Sequence, residues 1–156
     1  MPEVRVEQDR DAPGNGDLLE AAAASYRRAL ALAPDLVEAH FNLGSTLMKL
    51  GRHAEAEGPC RRALELRPAL AEAQHNLAIT LTELGRYPEA EAGFRRALDL
   101  EPGHADGHHN LGVALQRQGR TGEAEACFRQ ALALGSTEAH FSLGSALKDQ
   151  GRPEEA

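Results

Sequence analysis

The chain has 156 residues and a formal net charge of −7, from 24 acidic and 17 basic side chains. This balance argues against a general nucleic-acid-binding protein, which needs clustered positive charge to displace counterions from phosphates. The N-terminus lacks a secretory apolar segment, and no apolar run approaches the 18 or so residues of a membrane span. We therefore expect a cytoplasmic protein without a membrane partner, and the excess of arginine over lysine, 15 to 2, favours a bacterial source.

Residues 1–16 are rich in charge, proline and glycine, and this composition predicts a disordered or loose lead-in. A periodic apolar segment follows over residues 17–36, and Asp17 is placed to cap it as a helix. The segment matches only the second half of the unit described next. We therefore predict a half repeat at this point.

An Asn-Leu-small triplet recurs every 34 residues, beginning at Asn42, Asn76 and Asn110. A fourth copy begins at Ser142, after only 32 residues. A fixed period of this size is typical of stacked repeat proteins. The predicted units span residues 37–70, 71–104, 105–136 and 137–156, of which the third is two residues short and the fourth is truncated.

Each unit predicts two helices. Residues 38–50 carry apolar side chains at helical spacing, and Gly51 suits a helix end because glycine tolerates positive φ. A second periodic run over residues 56–66 is closed by Pro68, since the residue before a proline avoids the helical region. Such a hairpin buries its apolar side only against neighbouring hairpins. The dipeptide Gly58-Pro59 predicts a kink or a late start of the second helix in the first unit.

This pattern resembles the tetratricopeptide repeat family, whose 34-residue unit has an Ala-x3-Phe-type second helix and a closing proline. The resemblance covers roughly residues 17–156 and implies an all-α, right-handed superhelix, an α-solenoid of helix-turn-helix repeats. One position departs from the family pattern: the large aromatic residue early in the first helix is replaced by His40, Gln74, His108 and His140. The asparagine triplets resemble the tetratricopeptide portion of O-linked N-acetylglucosamine transferases, whose equivalent asparagines hold the backbone of protein substrates.

The resemblance implies that the first helices line a concave groove and that the asparagine column faces it. An asparagine amide offers a donor and an acceptor, which suits a peptide backbone. The candidate backbone-binding residues are Asn42, Asn76 and Asn110. The candidate residues for reading peptide side chains are Phe41, His75, His109 and Phe141, with Ser45, Ile79, Val113 and Ser145 one turn further on. Alternatively, the asparagines cap or bridge neighbouring units, or the triplet is a common consensus of such repeats.

Several charged side chains recur with the same period. Acidic residues open each first helix, where they complement the helix dipole and leave a rim that favours cationic or neutral ligands. On the second helices, three pairs with i, i+4 spacing predict solvated ion pairs. The rim residues are Glu38, Glu72, Asp106 and Glu138, and the pairs are Glu57–Arg61, Glu91–Arg95 and Glu125–Arg129.

Nothing in the sequence indicates catalysis. No phosphate-binding glycine motif occurs, no serine has a paired base, and the histidines lack the three or four convergent ligands that a metal needs. Cys60 and Cys127 lie in different units and are expected to be free thiols. We therefore expect neither a cofactor nor a metal.

The expected function is a non-catalytic module that binds an extended peptide or a partner surface in the groove. One alternative is the substrate-recruiting segment of a bacterial glycosyltransferase of the O-GlcNAc transferase type whose catalytic domain is absent here. Another is a scaffold that self-associates through uncapped ends.

Overall fold

The computed structural model describes residues 14–152 and residue 154. These residues form eight α-helices: α1 Asn15–Leu32, α2 Val37–Lys49, α3 His53–Leu66, α4 Ala71–Glu83, α5 Tyr87–Leu100, α6 Ala105–Arg117, α7 Thr121–Ala133 and α8 Ala139–Asp149. Most of the predicted lead-in lies outside the described residues. The last two lead-in residues, 15 and 16, belong to α1, and Asp17 caps this helix from inside its first turn by accepting a hydrogen bond from the Gly14 backbone (3.1 Å).

The helices alternate between two layers of the array. The first helices of the units are α2, α4, α6 and α8, and the second helices are α1, α3, α5 and α7. Each helix packs against its neighbours in sequence, and adjacent first helices also contact one another. In the described part of the chain, no two second helices bring Cα atoms within 8 Å. The first helices therefore form the inner surface, and the architecture confirms the predicted all-α solenoid.

A glycine ends each first helix through the same backbone motif. Gly51 has a φ of 71° and donates to Met48 O, while Arg52 donates to Leu47 O, both at 2.9 Å. Paired bonds of this kind satisfy carbonyl groups that a helix end otherwise leaves free. The connection after α7 is not tightened, and within it Gly135 and Ser136 form the equivalent motif at the end of α7. The two missing residues are lost from the start of α8, where three residues precede Ser142 instead of the five that precede Asn42 in α2.

The two helices of a unit approach closely because small residues face large ones. A Cβ atom on Gly112 would lie 2.6 Å from the ring of Phe128, and one on Gly44 would lie 2.5 Å from Cys60 Sγ. Phe128 and Cys60 are almost completely buried. Glycine therefore sets the distance between the helices in these two units.

The second helix of the first unit runs through Pro59 without interruption. It begins at His53, at the same position as its counterparts in the next two units, so the prediction of a late start is wrong. The residue before the proline is Gly58, whose lack of a Cβ atom removes one of the contacts that normally keep such a residue out of the helical region.

Candidate functional site

The predicted asparagines occupy equivalent positions on three adjacent first helices. Asn42 lies on α2, Asn76 on α4 and Asn110 on α6, and each is half-buried. Asn76 lines a recess of about 290 Å³, and Asn110 lines a smaller one of about 80 Å³. We call the inner surface formed by α2, α4, α6 and α8 the groove.

The asparagines differ in what their side chains contact. The Asn110 amide donates to His75 Nε2 in the preceding layer (3.3 Å), and Ser142 Oγ lies 2.9 Å from His109 Nε2 in the same way. Phe41 occupies the histidine position of the first layer and offers no polar atom to Asn76. The carboxamides of Asn42 and Asn76 therefore have no hydrogen-bond partner among the described residues. The Asn110 amide therefore bridges two layers, as the alternative expects, whereas the other two amides make no such contact in the described part of the chain.

The candidate side-chain readers fall into several environments. Ile79 lies on α4 between the two recesses and contributes to both, while Val113 joins Asn110 at the smaller one. Phe141 is 86% exposed and lines a third recess of about 380 Å³ together with Ser145. His75 is buried and lines the recess of about 290 Å³. The other three candidates line none of these recesses and are half-buried: Phe41, Ser45 and His109.

The recess of about 290 Å³ is lined by acidic and imidazole side chains. Glu72, Glu101 and Asp106 contribute carboxylates, and none of these three carboxylate groups has a hydrogen bond or an ion pair with any residue that the structure describes. The rings of His75 and His104 meet edge to face, with centroids 4.7 Å apart. Burial and the adjacent His104 lower the pKa of His75 to about 4, so its ring is neutral at neutral pH. We call this the acidic recess.

The predicted groove residues include His75 and Asn76 but neither Glu101 nor His104, which also line this recess. Both lie in the connection between α5 and α6, and this connection forms one wall of the recess. Comparing equivalent positions of successive units would have singled out Glu101, because it occupies the position that Arg67 holds in the preceding unit.

Histidines replace the expected aromatic residue for a structural reason. His40 Nε2 lies 2.7 Å from the carbonyl oxygen of Pro34, and His108 Nε2 lies 2.9 Å from that of Pro102. Each histidine therefore ties the start of a first helix to the closing proline of the preceding unit. This contact explains how the fold tolerates the loss of an aromatic side chain there.

The second-helix ion pairs are present, but they also join adjacent layers. Glu91 accepts hydrogen bonds from Arg95 on its own helix and from Arg120 and Gln118 of the next unit. Its side chain is only 8% exposed, so the prediction of a solvated pair is wrong at this position. Burial raises the pKa of Glu91, but the bonds from Gln118 and Arg120 and the charges of both arginines outweigh it, leaving the pKa below its ordinary value. Glu57 and Glu125 make the equivalent contacts to Arg86 and Arg152.

Other features of the site concern metals, thiols and membranes. Within residues 14–152 and 154, no group of three or more His, Cys, Asp or Glu side chains is arranged to hold a metal ion. Cys60 and Cys127 are free thiols, as predicted, and burial raises the pKa of Cys60 to about 11. In the same part of the chain, none of the helices has the length and apolar character needed to cross a membrane.

Helical hairpins stacked in register, each with a glycine after its first helix, define an α-solenoid. The tetratricopeptide repeat model matches residues 35–100 and 69–137, and a TPR repeat model matches residues 18–51. The chain therefore belongs to the tetratricopeptide repeat family. Repeats of this family are typically non-catalytic interaction modules, and membership suggests a protein-interaction scaffold.

Solved structures of MamA share this fold. One superposes with a TM-score of 0.84 at 23% sequence identity, over 92% of this chain and 89% of that one. A second superposes with a TM-score of 0.82 at 24% identity, over 88% and 76% of the two chains. A MamA RS-1 ArsTM double mutant gives 0.79 at 17% identity, over 92% and 90%. No curated protein matches the sequence.

Proposed function

We propose that the chain is a non-catalytic interaction module that binds an extended peptide, or an extended segment of a partner surface, in the groove. The observation that carries this proposal is the pair of open carboxamides on adjacent layers, those of Asn42 and Asn76. Both are half-buried, and neither has a hydrogen-bond partner in the described part of the chain. An amide that offers one donor and one acceptor matches the N–H and C=O groups of a peptide backbone without selecting its side chains.

The spacing of the layers fits an extended ligand. Packed helices lie roughly 8–10 Å apart, and an extended chain rises about 3.3 Å per residue. Two amides one layer apart therefore contact backbone groups about three residues apart in the peptide. In the next layer along the groove, Ile79 on α4 and Val113 on α6 border a recess of about 80 Å³ that suits a small apolar group of the peptide.

The experiment begins with a selection. A random 12-residue peptide library is displayed on phage and selected against the folded chain, and the best peptide is measured by fluorescence anisotropy. Asn42→Ala with Asn76→Ala removes both open amides, and it favours the helices because alanine has the highest helix propensity. Because each hydrogen bond contributes about 0.5–1.5 kcal/mol net, losing the bonds of two amides should weaken binding about tenfold or more.

Two further variants make the result specific. Gln130→Ala removes an exposed amide from α7, on the outer layer of helices, and should leave the affinity unchanged. Asn110→Ala should weaken binding less than the double variant, because the Asn110 amide already bonds to His75. Unchanged affinity in the double variant, with helix content preserved by circular dichroism, would contradict the proposal.

The self-association alternative has one observation in its favour. Phe141 is 86% exposed and lines a recess of about 380 Å³ on α8, so an apolar surface is available to a second copy. Light scattering over a range of protein concentrations tests this, and Phe141→Ser should abolish any concentration-dependent growth in mass. The glycosyltransferase alternative depends on the downstream reading frame, where two nucleotide-binding α/β lobes would support it.

A further inference from the structure

The recess of about 80 Å³ lies in the groove between α4 and α6, and we call it the small recess. Its lining comes from three helices: Ile79, Thr82 and Glu83 of α4, Phe94 of α5, and Asn110 and Val113 of α6. Phe94 is only 1% exposed and is part of the hydrophobic core, and Ile79 and Val113 pack against that core. The small recess therefore extends from the groove to the core, between aliphatic side chains.

Thr82 places a short side chain where the neighbouring layers carry longer ones. The residues 34 positions before and after it are Met48 and Gln116. Met48 is half-buried and packs against an apolar cluster, while Gln116 reaches from α6 to α8 and donates to Asp149 at 3.0 Å. The Thr82 hydroxyl instead donates to Ala78 O of its own helix at 2.9 Å. The side chain of Thr82 therefore stays close to α4 and leaves the small recess open.

The polar groups around the small recess favour a neutral, aliphatic guest. The Thr82 hydroxyl already donates to Ala78 O, and the Asn110 amide already donates to His75. Glu83 is exposed, so its carboxylate stays in water at the rim. A charged group inside the recess would lose its water without gaining a partner, which is costly. An aliphatic group gains from leaving water and meets a ring and two aliphatic side chains.

The volume limits the size of this guest. A cavity of about 150 Å³ accommodates a benzene molecule. The small recess, at about 80 Å³, has about half of that volume, which suits the three carbon atoms of a valine side chain. We infer that the small recess binds one aliphatic side chain of valine size from a peptide held in the groove, and that Thr82 determines this preference. This inference rests on the proposed function and names the side chain that its ligand carries.

The position of the small recess also sets where the valine lies in the peptide. Asn42, Asn76 and the small recess follow one another along the groove, because the recess lies on the side of α4 that faces away from α2. Adjacent layers are roughly 8–10 Å apart, and an extended chain rises about 3.3 Å per residue. We therefore expect the valine within about three residues of the one that Asn76 holds, on the side away from the Asn42 contact.

The test starts from the selected peptides, which should share valine at one fixed position. This residue is replaced in turn by alanine, phenylalanine and aspartate, and each affinity is measured by fluorescence anisotropy. Alanine should weaken binding about tenfold, because it leaves two methyl groups of the recess unfilled. Phenylalanine is too large and aspartate is charged, so both should bind at least as weakly as alanine. Selected peptides without a shared aliphatic position, or equal affinities for valine and phenylalanine, would overturn the inference.

Nuclear Overhauser effects locate the contact. The protein carries ¹³C-labelled methyl groups on isoleucine and valine, and the valine peptide is unlabelled. We expect effects between the peptide valine methyls and the methyl groups of Ile79 and Val113, which line the small recess from its two sides. Effects confined to methyl groups elsewhere in the chain would overturn the inference.

A substitution of Thr82 closes the small recess. Thr82→Met copies Met48, and it should preserve the helix because methionine has a higher helix propensity than threonine. The valine peptide should then bind no better than the alanine peptide, whose own affinity should stay unchanged. Thr82→Ser is the matched control, since it keeps a short side chain whose hydroxyl can donate to Ala78 O, and it should retain the preference for valine. A preference that survives Thr82→Met, or is lost equally in both variants, would rule out this role of Thr82.

The same peptides separate this inference from the proposed function. Binding that weakens in the double variant of Asn42 and Asn76, but responds equally to Thr82→Met and Thr82→Ser, would overturn the inference and leave the proposed function standing. Binding that depends on the valine and on Thr82, without any effect of the two asparagines, would contradict the proposed function and support the small recess as an apolar site.

Discussion

Replacing Gly112 with alanine tests how closely the two helices of a unit approach each other. The new methyl carbon would lie 2.6, 2.8 and 3.0 Å from three ring carbons of Phe128, whereas ordinary contacts are 3.4–4 Å. The ring is fully buried, so it has no open space to enter. The helices must therefore separate or the ring must leave its preferred rotamer.

Two opposing contributions determine the magnitude. Overpacking a well-filled core costs about 1–3 kcal/mol, while alanine gains roughly 1 kcal/mol over glycine in a helix interior. The overlap involves three ring atoms, so we expect Gly112→Ala to lower the free energy of unfolding by about 1–2 kcal/mol. Gly122→Ala is the matched control, because it meets nothing within 4 Å in the first turn of α7. The control should gain about 0.5–1 kcal/mol.

Urea unfolding followed by circular dichroism measures both variants. The midpoint should fall for Gly112→Ala and rise for Gly122→Ala, with an unchanged slope. A double-mutant cycle with Phe128→Leu adds a sharper test, because the alanine should cost less when the ring is absent. Equal behaviour of the two alanine variants, or no coupling in the cycle, would refute the close approach of α6 and α7.

Two more predictions concern charge. Glu91→Gln should lower the free energy of unfolding by about 1–2 kcal/mol, because it removes a buried acceptor of charged hydrogen bonds. The loss stays in this range because the arginine donors can rehydrate. Glu123→Gln, at a side chain that is 55% exposed, should change the urea midpoint less. For His75, the folded pKa of about 4 lies below the ordinary 6.5, so its contribution is complete above pH 6.5 and is lost as pH falls from 6.5 towards 4. The loss should reach at most about 3 kcal/mol, and His75→Phe, which copies Phe41, should flatten this part of the stability-versus-pH profile; an unchanged profile would contradict the burial of a neutral ring.

The repeat fold was predictable because its determinants recur in columns. Gly51 and its three counterparts mark the ends of the first helices, and all four have φ between 71 and 76°. The period also placed Asn42, Asn76 and Asn110 at equivalent positions. Each of these inferences needs only the spacing within one unit.

The differences between layers were harder to predict. Whether an asparagine is open depends on the residue one layer earlier, and the contrast between His75 and Phe41 separates Asn110 from Asn76. The burial of Glu91 likewise depends on Arg120, 29 residues away, folding back over it. These contacts follow from how far each layer is offset from the next, which spacing within one unit does not specify.

Departures from the repeat pattern mark positions where one layer differs from the next. Glu101 breaks a column that holds Arg67 in the preceding unit, and it lies in the acidic recess. Gly58 and Pro59 break the pattern of a second helix, yet α3 continues through them because Gly58 offers no Cβ atom to the proline ring. A departure from the pattern can be absorbed by the helix or can form part of a recess. The side chains around it determine which of the two occurs.

Peptide binding by the open amides is tested most directly by observing the amides themselves. The side-chain NH₂ signals of Asn42 and Asn76, assigned from their alanine variants, are followed by ¹H–¹⁵N correlation spectra while a selected peptide is added. Both signals should shift and saturate with the same dissociation constant as the groove backbone, while the side-chain signal of Gln130 stays in place. Saturated peptide binding that leaves both asparagine signals unmoved would contradict peptide binding by the open amides.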